Sequence, residues 1–239
     1  MDEQYSRQIA FNGIGGDGQK KLSASRVCIV GLGALGTAAA DRLCRAGVGA
    51  LRLVDDDSVE LSNLQRQTLY SAEDIGKLKL DAAEHRLLEI NSSMEIETCK
   101  CRLDALNAAP LFGGCDVVLD CTDNIAARHV INEECHALKM PWIHGAAAGS
   151  AGTVFTVTPK GPCFRCLYPE AGITGETANT LGMLGTLTGI IGTLQANEAI
   201  KLIVDAAPMG LLMLDIWHNT FEIIQIERNQ DCPVCGGGR

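Results

Sequence analysis

Short apolar runs alternate with stretches of helical spacing along the first 145 residues of the chain. The run VCIV is followed by a glycine-rich turn, a helical stretch from about Ala34 to Ala46, and the run LRLVD. This order predicts a strand, a turn, a helix and a second strand, and therefore a parallel sheet. The rhythm continues with predicted helices over about 78–90 and 126–138 and predicted strands over 94–98, 116–121 and 141–145. One doubly wound, mostly parallel Rossmann-like sheet accounts for this part.

The pattern changes after residue 145. The segments GTVFTV, LLMLDI and EIIQI favour strands of a C-terminal mixed sheet, separated by a long loop and a predicted helix over 187–204. We find no internal repeat, low-complexity block or linker. We therefore expect an α/β fold in a single domain over 1–239, with an N-terminal helical arm (1–25), a core (26–145) and a mixed-sheet part (146–239).

The most apolar segment, 181–204, could be mistaken for a membrane span. It contains four polar or charged residues whose burial in lipid would cost several kcal/mol, namely Gln195, Asn197, Glu198 and Lys201. A core helix with one wet edge is the better interpretation. The N-terminal stretch is acidic where a signal peptide needs positive charge, so we do not expect export.

Composition limits the classes of function. The chain has 239 residues, 46% of them hydrophobic, which is enough for a sizeable core. With 20 Lys and Arg against 29 Asp and Glu, the formal net charge is −9, which argues against nucleic-acid or anionic-lipid partners. The 11 cysteines are odd in number, and Cys28, Cys44, Cys115 and Cys121 lie in apolar segments where a thiol acts as a small hydrophobe. This usage indicates the reducing cytoplasm.

Gly31, Gly33 and Gly36 lie between the first predicted strand and helix, in the order GLGALG. The first permits a tight turn, the second lets a phosphate approach the backbone, and the third lets helix and strand pack closely. Asp55 ends the second strand, where a carboxylate can accept both ribose hydroxyls. The constellation indicates a nucleotide, although a turn that serves packing alone is the alternative, and it does not choose between ATP and NAD.

The five histidines offer no recognisable catalytic motif for hydride transfer. His85, His129 and His136 fall in helical stretches, where we expect satisfied surface or edge side chains. The histidines therefore give no support to an NAD-dependent enzyme.

Two cations follow the ribose acid in an otherwise acidic protein. Arg66 suits bidentate phosphate contact and Lys79 suits a point-charge contact, although each alone would more often be a solvated surface charge. The predicted strand ending in LDCTDN places Asp120, Asp123 and Asn124 at the carboxyl edge of the sheet. Asp123 is the candidate Mg²⁺ ligand; the alternative is a helix N-cap, which Asn124 or Asp120 could provide instead.

Five segments in this order and spacing carry a family resemblance: YSRQI (5–9), GLGALG (31–36), VDDDSVELSNLQRQ (54–67), IGKLK (75–79) and LDCTDN (119–124). Together they resemble the ThiF/MoeB/HesA group, bacterial relatives of the ubiquitin-activating enzymes, over essentially the whole chain. The resemblance is nearest to MoeB-like members. It implies ATP-dependent adenylation of the C-terminal glycine carboxylate of a small ubiquitin-like sulfur carrier.

The resemblance also implies roles for individual residues. Asp55 would hold the ribose, Asp123 would hold Mg²⁺, and the remaining cofactor-binding residues would be Asn63, Arg66, Gln67, Lys79 and Asn124. Arg7 would reach across a homodimer interface to the ATP of the neighbouring subunit. Arg7, Arg66, Lys79 and Asp123 would then be the catalytic group. The carrier carboxylate is itself the nucleophile and is ionised at neutral pH, so the reaction needs no general base.

Two C-x-x-C pairs, PCFRC and DCPVC, supply Cys163, Cys166, Cys232 and Cys235. Two such pairs in a reduced protein are typical of a closed tetrahedral zinc site, here with a structural role that matches the zinc of the resembled family. A redox dithiol formed by one pair is the main alternative, but it would leave the second pair unexplained.

Members of this family that link covalently to their carrier have a cysteine in the loop after the first pair. Here no cysteine occurs between Cys166 and Cys232, and Ala178 or a near neighbour takes that position. We therefore expect adenylation without an enzyme–carrier thioester or persulfide at that site. Cys121 is expected to serve packing more than nucleophilic attack. The stretch HGAAAGSAG (144–152) would either let a thin di-glycine tail approach or serve close packing.

Three classes of function remain open from the sequence. The first is the adenylating enzyme, the second an NAD-dependent oxidoreductase on the same nucleotide fold, and the third a catalytically silent, nucleotide-binding zinc dimer. The second leaves Arg7, Arg66 and Lys79 without a role. The third has little need for so complete a set of phosphate contacts.

Overall fold

The computed structural model describes residues 3–169 and 181–236. One eight-stranded sheet crosses this part of the chain in the order β3-β2-β1-β4-β5-β6-β7-β8. Its strands are β1 (Arg26–Val30), β2 (Ala50–Val54), β3 (Glu95–Cys99), β4 (Val117–Asp120), β5 (Trp142–Ala148), β6 (Ala151–Val157), β7 (Leu211–Asp215) and β8 (Thr220–Ile224). Strands β1 to β5 pair in parallel and β6 to β8 in antiparallel fashion, so the predicted mixed sheet is confirmed.

Helices cover both faces of the sheet. They are α1 (Ser6–Ile9), α2 (Gly15–Ala24), α3 (Ala34–Ala46), α4 (Lys79–Ile90), α5 (Ala108–Phe112), α6 (Ile125–Ala137), α7 (Phe164–Leu167) and α8 (Gly185–Ile203). One apolar cluster packs α3, α4 and α8 on one face, and a second packs α5, α6 and α7 on the other. The central strands β1, β2 and β4 are buried on both faces, which explains their continuous apolar runs.

The last strand differs from its prediction. The run EIIQI favoured 222–226, whereas β8 spans Thr220–Ile224. The reason is the tight turn from β7, in which Asp215 pairs with Thr220 across the hairpin and its Oδ1 accepts the amides of Trp217 and His218. Turn geometry therefore sets the register more strongly than the apolar run does.

Helix α8 is a core helix, as predicted. It packs along α3 so closely that a Cβ built at Gly192 would lie 2.4 Å from the carbonyl oxygen of Leu35. Two of its buried polar residues have hydrogen-bond partners: Gln195 Nε2 donates to the Asp120 carbonyl oxygen at 2.7 Å, and Glu198 accepts the Met209 amide at 2.7 Å. Among the helices of residues 3–169 and 181–236, none combines the length and the apolar character that a membrane span requires.

The N-terminal arm packs at the C-terminal end of α3. Gln8 and Gln19 both donate side-chain hydrogen bonds to the Ala46 carbonyl oxygen, at 2.8 and 3.0 Å. Gly47 ends α3 with a φ of 79°, and a Cβ there would lie 2.6 Å from the Tyr5 ring. Glycine is therefore required both by the left-handed backbone and by the close approach of the arm.

Candidate functional site

A cleft of about 1530 Å³ opens at the carboxyl ends of the parallel strands. It lies where the strand order reverses, because β2 and β4 flank β1 on opposite sides. Ligands of open α/β sheets bind at such a switch point. Its lining includes nine of the ten residues predicted to bind the cofactor: Gly31, Gly33, Asp55, Asn63, Arg66, Gln67, Lys79, Asp123 and Asn124.

Gly31 and Gly36 have the backbone geometry that their spacing predicts, and the phosphate approach predicted at Gly33 stays a prediction. Gly31 has a φ of 92°, and a Cβ there would lie 2.8 Å from the Cys121 carbonyl oxygen. A Cβ at Gly36 would lie 1.9 Å from the Gly31 carbonyl oxygen, so Gly36 serves close packing of helix on turn and does not line the cleft. Gly33 stands at the N-cap of α3, where the backbone faces the cleft. This helix start favours an anion.

Asp55 is fixed by the backbone around it. It is 9% exposed, its Oδ2 accepts the Leu32 amide at 2.6 Å, and its Oδ1 accepts the Asp57 amide at 2.8 Å. Each carboxylate oxygen has a further lone pair, so the group can accept hydroxyl hydrogens while it stays anchored. The position suits the predicted ribose contact.

Three polar residues follow β2 through a short 3₁₀ turn, Leu61–Asn63. Asn63 Oδ1 accepts the Glu60 amide at 3.1 Å and closes a capping box. Arg66 is half-buried and donates from Nη1 to the Ser62 carbonyl oxygen at 2.8 Å. Gln67 is buried, and its Oε1 has no hydrogen-bond partner within residues 3–169 and 181–236. An orphaned buried acceptor on a cleft wall is what a bound ligand would satisfy.

Lys79 begins α4 and is only 6% exposed. Its ammonium lies 2.7 Å from Oδ2 of Asp57, a largely exposed carboxylate, and both side chains line the cleft. A buried ammonium needs a partner, and here the partner is a group that solvent or ligand can reach. The alternative of a solvated surface charge is therefore wrong for Lys79.

The LDCTDN segment reaches the cleft edge with its three polar side chains in different settings. Asp123 is exposed and lines the cleft. Asn124 caps α6, because its Oδ1 accepts the Ala127 amide at 2.8 Å. Asp120 is fully buried, and its carboxylate accepts the Thr122 hydroxyl at 2.6 Å and the His144 Nδ1–H at 2.8 Å. Asp123 is thus left free of the capping role.

The buried pair of Asp120 and His144 has a defined charge state. Burial alone would raise the pKa of Asp120, but the hydrogen bond from His144 and the charge of Arg128 hold it below its usual value. Burial lowers the pKa of His144, so this imidazole is neutral at pH 7 and donates its Nδ1 hydrogen to the carboxylate. Asp120 therefore remains an anion inside the protein.

Arg7 does not line the cleft. It is exposed on α1, in the arm that packs at the C-terminal end of α3. The glycine turn lies at the other end of this 13-residue helix, about 20 Å away at 1.5 Å per residue. A role for Arg7 in this cleft would require a second copy of the chain.

Sequence reasoning missed three side chains of the site: Asp57, Arg128 and His144. Asp57 stood in the triple DDD, where only the first acid was singled out. Arg128 lies on α6 one turn after the N-cap, a spacing that could have indicated it. His144 faces Asp120 only because β4 and β5 pair in parallel with these two residues in register.

His129 corrects another expectation. It was expected to be a satisfied surface or edge histidine, yet it is buried, and neither ring nitrogen has a hydrogen-bond partner in the described residues. Its ring packs edge-on against Phe164 with centroids 5.6 Å apart. Burial lowers its pKa, so it acts as a neutral aromatic packing group.

The two cysteine pairs come together as predicted. Sγ of Cys163 lies 3.5 Å from that of Cys232, Sγ of Cys166 lies 3.4 Å from that of Cys235, and all four lie within 4.8 Å of one another. Burial opposes ionisation of Cys232, but the amides of Cys235 and Val234 lower its pKa to about 7. Four converging thiols, one already prone to ionise, fit a tetrahedral soft-metal ion such as zinc.

Cys121 is a packing residue. It is 9% exposed, and burial raises its pKa well above the usual value. A thiol that stays protonated is a poor nucleophile. The position of Ala178 lies outside the described residues, so the prediction about that loop rests on sequence alone.

Small residues form the wall of the cleft beyond the glycine turn. Ala146, Ala147 and Ala148 of β5 and Gly152 of β6 line it, and the wall continues to Met213 of β7 and Glu222 of β8. Since β7 and β8 follow β6 in the sheet, the cleft runs from the glycine turn to the antiparallel end of the sheet.

Known proteins are similar in sequence to this chain over nearly its whole length. The SAMP-activating enzyme E1 of Haloferax volcanii is 41% identical over 241 residues, covering 99% of this chain and 89% of the relative. The sulfur carrier protein ThiS adenylyltransferase of Escherichia coli is 42% identical, with 98% and 95% covered. The molybdopterin-synthase adenylyltransferase of E. coli is 44% identical, with 98% and 96% covered.

The fold also matches solved structures. E. coli MccB superposes with a TM-score of 0.88 at 22% identity, over 99% of this chain and 76% of that one. At this identity the likeness shows the α/β architecture with its mixed sheet. The sequence itself matches the ThiF family over residues 5–234, and with relatives above 40% identity across the same span this chain belongs to the ThiF family.

Proposed function

We propose that this protein uses ATP to adenylate the C-terminal glycine carboxylate of a small ubiquitin-like sulfur-carrier protein, and releases pyrophosphate. The observation that carries the proposal is the convergence of Arg66 and Lys79 on a glycine turn whose cleft continues along a wall of small residues. The turn suits a nucleotide, the cations suit its phosphates, and the wall suits a glycine tail. Relatives at 41–44% identity are named for the activation of such carriers.

The chemistry follows from charge. The carrier carboxylate attacks the α-phosphorus, a new O–P bond forms, and the bond to the β-phosphate bridging oxygen breaks with its electron pair leaving on pyrophosphate. No proton is transferred. Like charges about 4 Å apart repel by ~4 kcal/mol at an effective dielectric near 20, so fixed cations are needed to bring a carboxylate up to a triphosphate. Lys79 and Arg66 supply that charge on the nucleotide side.

Asp123 is the residue we propose for Mg²⁺. Its carboxylate is exposed at the cleft, while Asn124 takes the capping role and Asp120 is buried away. Mg²⁺ bound there would neutralise phosphate charge and orient the triphosphate. Asp55, Asn63 and Gln67 would bind the rest of the nucleotide, and the orphaned Gln67 Oε1 would gain a donor.

We further propose a homodimer in which Arg7 serves the cleft of the partner copy. Within one copy the arm holds Arg7 at the wrong end of α3, as described above. Large apolar side chains, Phe11, Leu61 and Ile190 among them, are exposed and could be covered by a second copy.

The carrier would dock on the antiparallel end of the sheet. Met213 of β7 is 43% exposed and lines the cleft, and Ile224 of β8 is 38% exposed on the same face of the sheet. An exposed apolar surface that leads into the cleft suits a folded carrier whose tail must reach the nucleotide.

The four cysteines would hold zinc in a structural role. They join the segment 163–166 to the segment 232–235, which lies beyond β8, and a closed four-thiolate site leaves no open position for catalysis. All eleven cysteines are free thiols, so we place the protein in a reducing compartment, the cytoplasm.

Adenylation can be tested by intact mass. The protein is incubated with Mg-ATP and purified carriers of the ThiS and molybdopterin-synthase type, each ending in Gly-Gly. One carrier should gain the mass of an adenylyl group, and the same carrier with its terminal glycine deleted should not. An unchanged mass for every carrier, with NAD but not ATP raising the melting temperature, would favour the oxidoreductase instead.

A further inference from the structure

A further arginine lines the cleft, and no role for it is predicted from the sequence. Arg128 lies on α6, with its side chain 17% exposed and lining the cleft. We propose that Arg128 binds the carboxylate of the carrier's terminal glycine, and so acts as the cation of the tail-binding wall. This inference rests on the proposed function.

The sheet order separates Arg128 from the phosphate-side cations. Arg66 and Lys79 come from the chain that follows β2, on one side of β1. Arg128 follows β4, on the other side of β1, where β5 and β6 supply the small residues Ala146, Ala147 and Gly152. A tail that enters along this wall therefore meets Arg128, and a triphosphate on the glycine turn meets the other two.

Arg128 is held in place by the protein interior. Its Nη2 donates to the Thr122 carbonyl oxygen at 3.0 Å, and its Nε lies 3.5 Å from Oδ2 of Asp120. Asp120 is fully buried and does not line the cleft, so it lies behind the guanidinium. His144 is neutral and donates to the same carboxylate, and it therefore fixes Asp120 without cancelling its charge. The side chain is preorganised before ligand binds.

The guanidinium still has donors to offer. Its Nε is buried against Asp120, but its Nη1 makes no hydrogen bond within the described residues, and Nη2 has a second hydrogen beyond the one given to Thr122. A planar guanidinium matches a carboxylate in a two-bond arrangement that a lysine cannot reproduce. The start of α6 beside it adds a favourable potential for an anion.

The test compares two forms of the carrier that the wild type adenylates: the natural acid, and a semisynthetic form whose terminal carboxylate is a carboxamide. Binding is measured by calorimetry with the protein loaded with an ATP analogue that has a methylene bridge between the α and β phosphorus atoms. We expect the wild type to bind the acid at least ~10-fold more tightly than the amide. Arg128→Gln should bind both forms equally, and Arg128→Lys should keep only part of the preference.

Arg102→Gln is the matched control, because it removes the same charge from the opposite wall of the cleft, where Arg102 is exposed. It should keep the preference for the acid. Since Arg128→Gln alone leaves Asp120 buried without its cation, the pair Asp120→Asn with Arg128→Gln is measured as well. It should also bind both forms equally, and melting curves establish that each variant folds.

Four results would overturn the inference: a wild type that binds acid and amide alike, an Arg128→Gln or paired variant that still prefers the acid, an Arg102→Gln variant that loses the preference, or an Arg128→Gln variant that loses affinity for the analogue in the absence of carrier. If the wild type adenylates no carrier, the proposed function fails and this inference falls with it. If the wild type adenylates a carrier and any of the four results is also found, the inference about Arg128 is wrong and the proposed function still stands.

Discussion

At the scale of single residues, charge and backbone conformation define the cleft. Arg66 and Lys79 are cations that line the cleft, Asp123 is an exposed carboxylate of its lining, and Gly36 is a position where any side chain would clash. The sequence indicated all four by type and spacing. It could not reveal that Asp57 pairs with Lys79, because that contact depends on the antiparallel bridge between Ser58 and Leu78.

The roles proposed for the charged residues can be tested by ATP–pyrophosphate exchange. We expect Arg66→Ala or Asp123→Ala to abolish ATP–pyrophosphate exchange in the presence of carrier, because each removes charge stabilisation that the reaction requires. Both side chains are at least partly exposed, so circular dichroism and melting temperature should stay near the wild type. Wild-type exchange rates in either variant would refute the assigned role.

The glycine turn can be tested by stability. Gly36→Ala should destabilise the protein by ~1–3 kcal/mol, since the new Cβ would lie 1.9 Å from the Gly31 carbonyl oxygen and the turn must shift. Gly189→Ala in α8 is the control, because nothing lies within 4 Å of its Cβ position and alanine favours helix. Thermal or urea unfolding should rank Gly36→Ala below both the wild type and Gly189→Ala; equal stability of the two variants would contradict the packing role.

At the scale of elements, the main strands and helices were predicted from the period of hydrophobic positions along the chain. Helix α3 lies where its spacing predicted, and the other predicted helices agree within a few residues. Strand β8 was displaced by two residues, because a hairpin turn anchored by Asp215 sets its pairing. His129 was misjudged because burial against Phe164 depends on how α6 and α7 pack, which no local pattern encodes.

The cysteine site joins two distant segments and can be tested by removing metal. If zinc is bound, a chelator should lower the melting temperature, and added zinc should restore it. Cys232→Ser should lower zinc content and stability together. Cys44→Ser is a control in a buried cysteine that lies outside the four-thiol cluster, and it should keep its zinc. A protein with no zinc and unchanged melting after chelation would overturn the assignment.

At the scale of the whole molecule, the role proposed for Arg7 requires a second copy of the chain. The Arg7→Ala and Lys79→Ala variants should each be inactive in ATP–pyrophosphate exchange. The first lacks the arginine proposed to act in the cleft of the partner copy, and the second lacks the lysine of its own cleft. After subunit exchange, a mixture should regain about a quarter of wild-type activity, because half the dimers are mixed and each has one intact site. A mixture of Lys79→Ala with Arg66→Ala, whose defects lie in the same cleft, should regain none.

The sequence alone determined the fold class, the glycine turn, the two cations that follow β2 and the cysteine pairs, because each depends on residue type, spacing and period along the chain. Tertiary structure decided which polar groups line the same cleft and which instead make structural hydrogen bonds. It made Asn124 the N-cap of α6, it buried Asp120 in a hydrogen bond with His144, and it brought Arg128 to the lining of the cleft. Those outcomes follow from strand order and register, which place residues that are distant in sequence side by side.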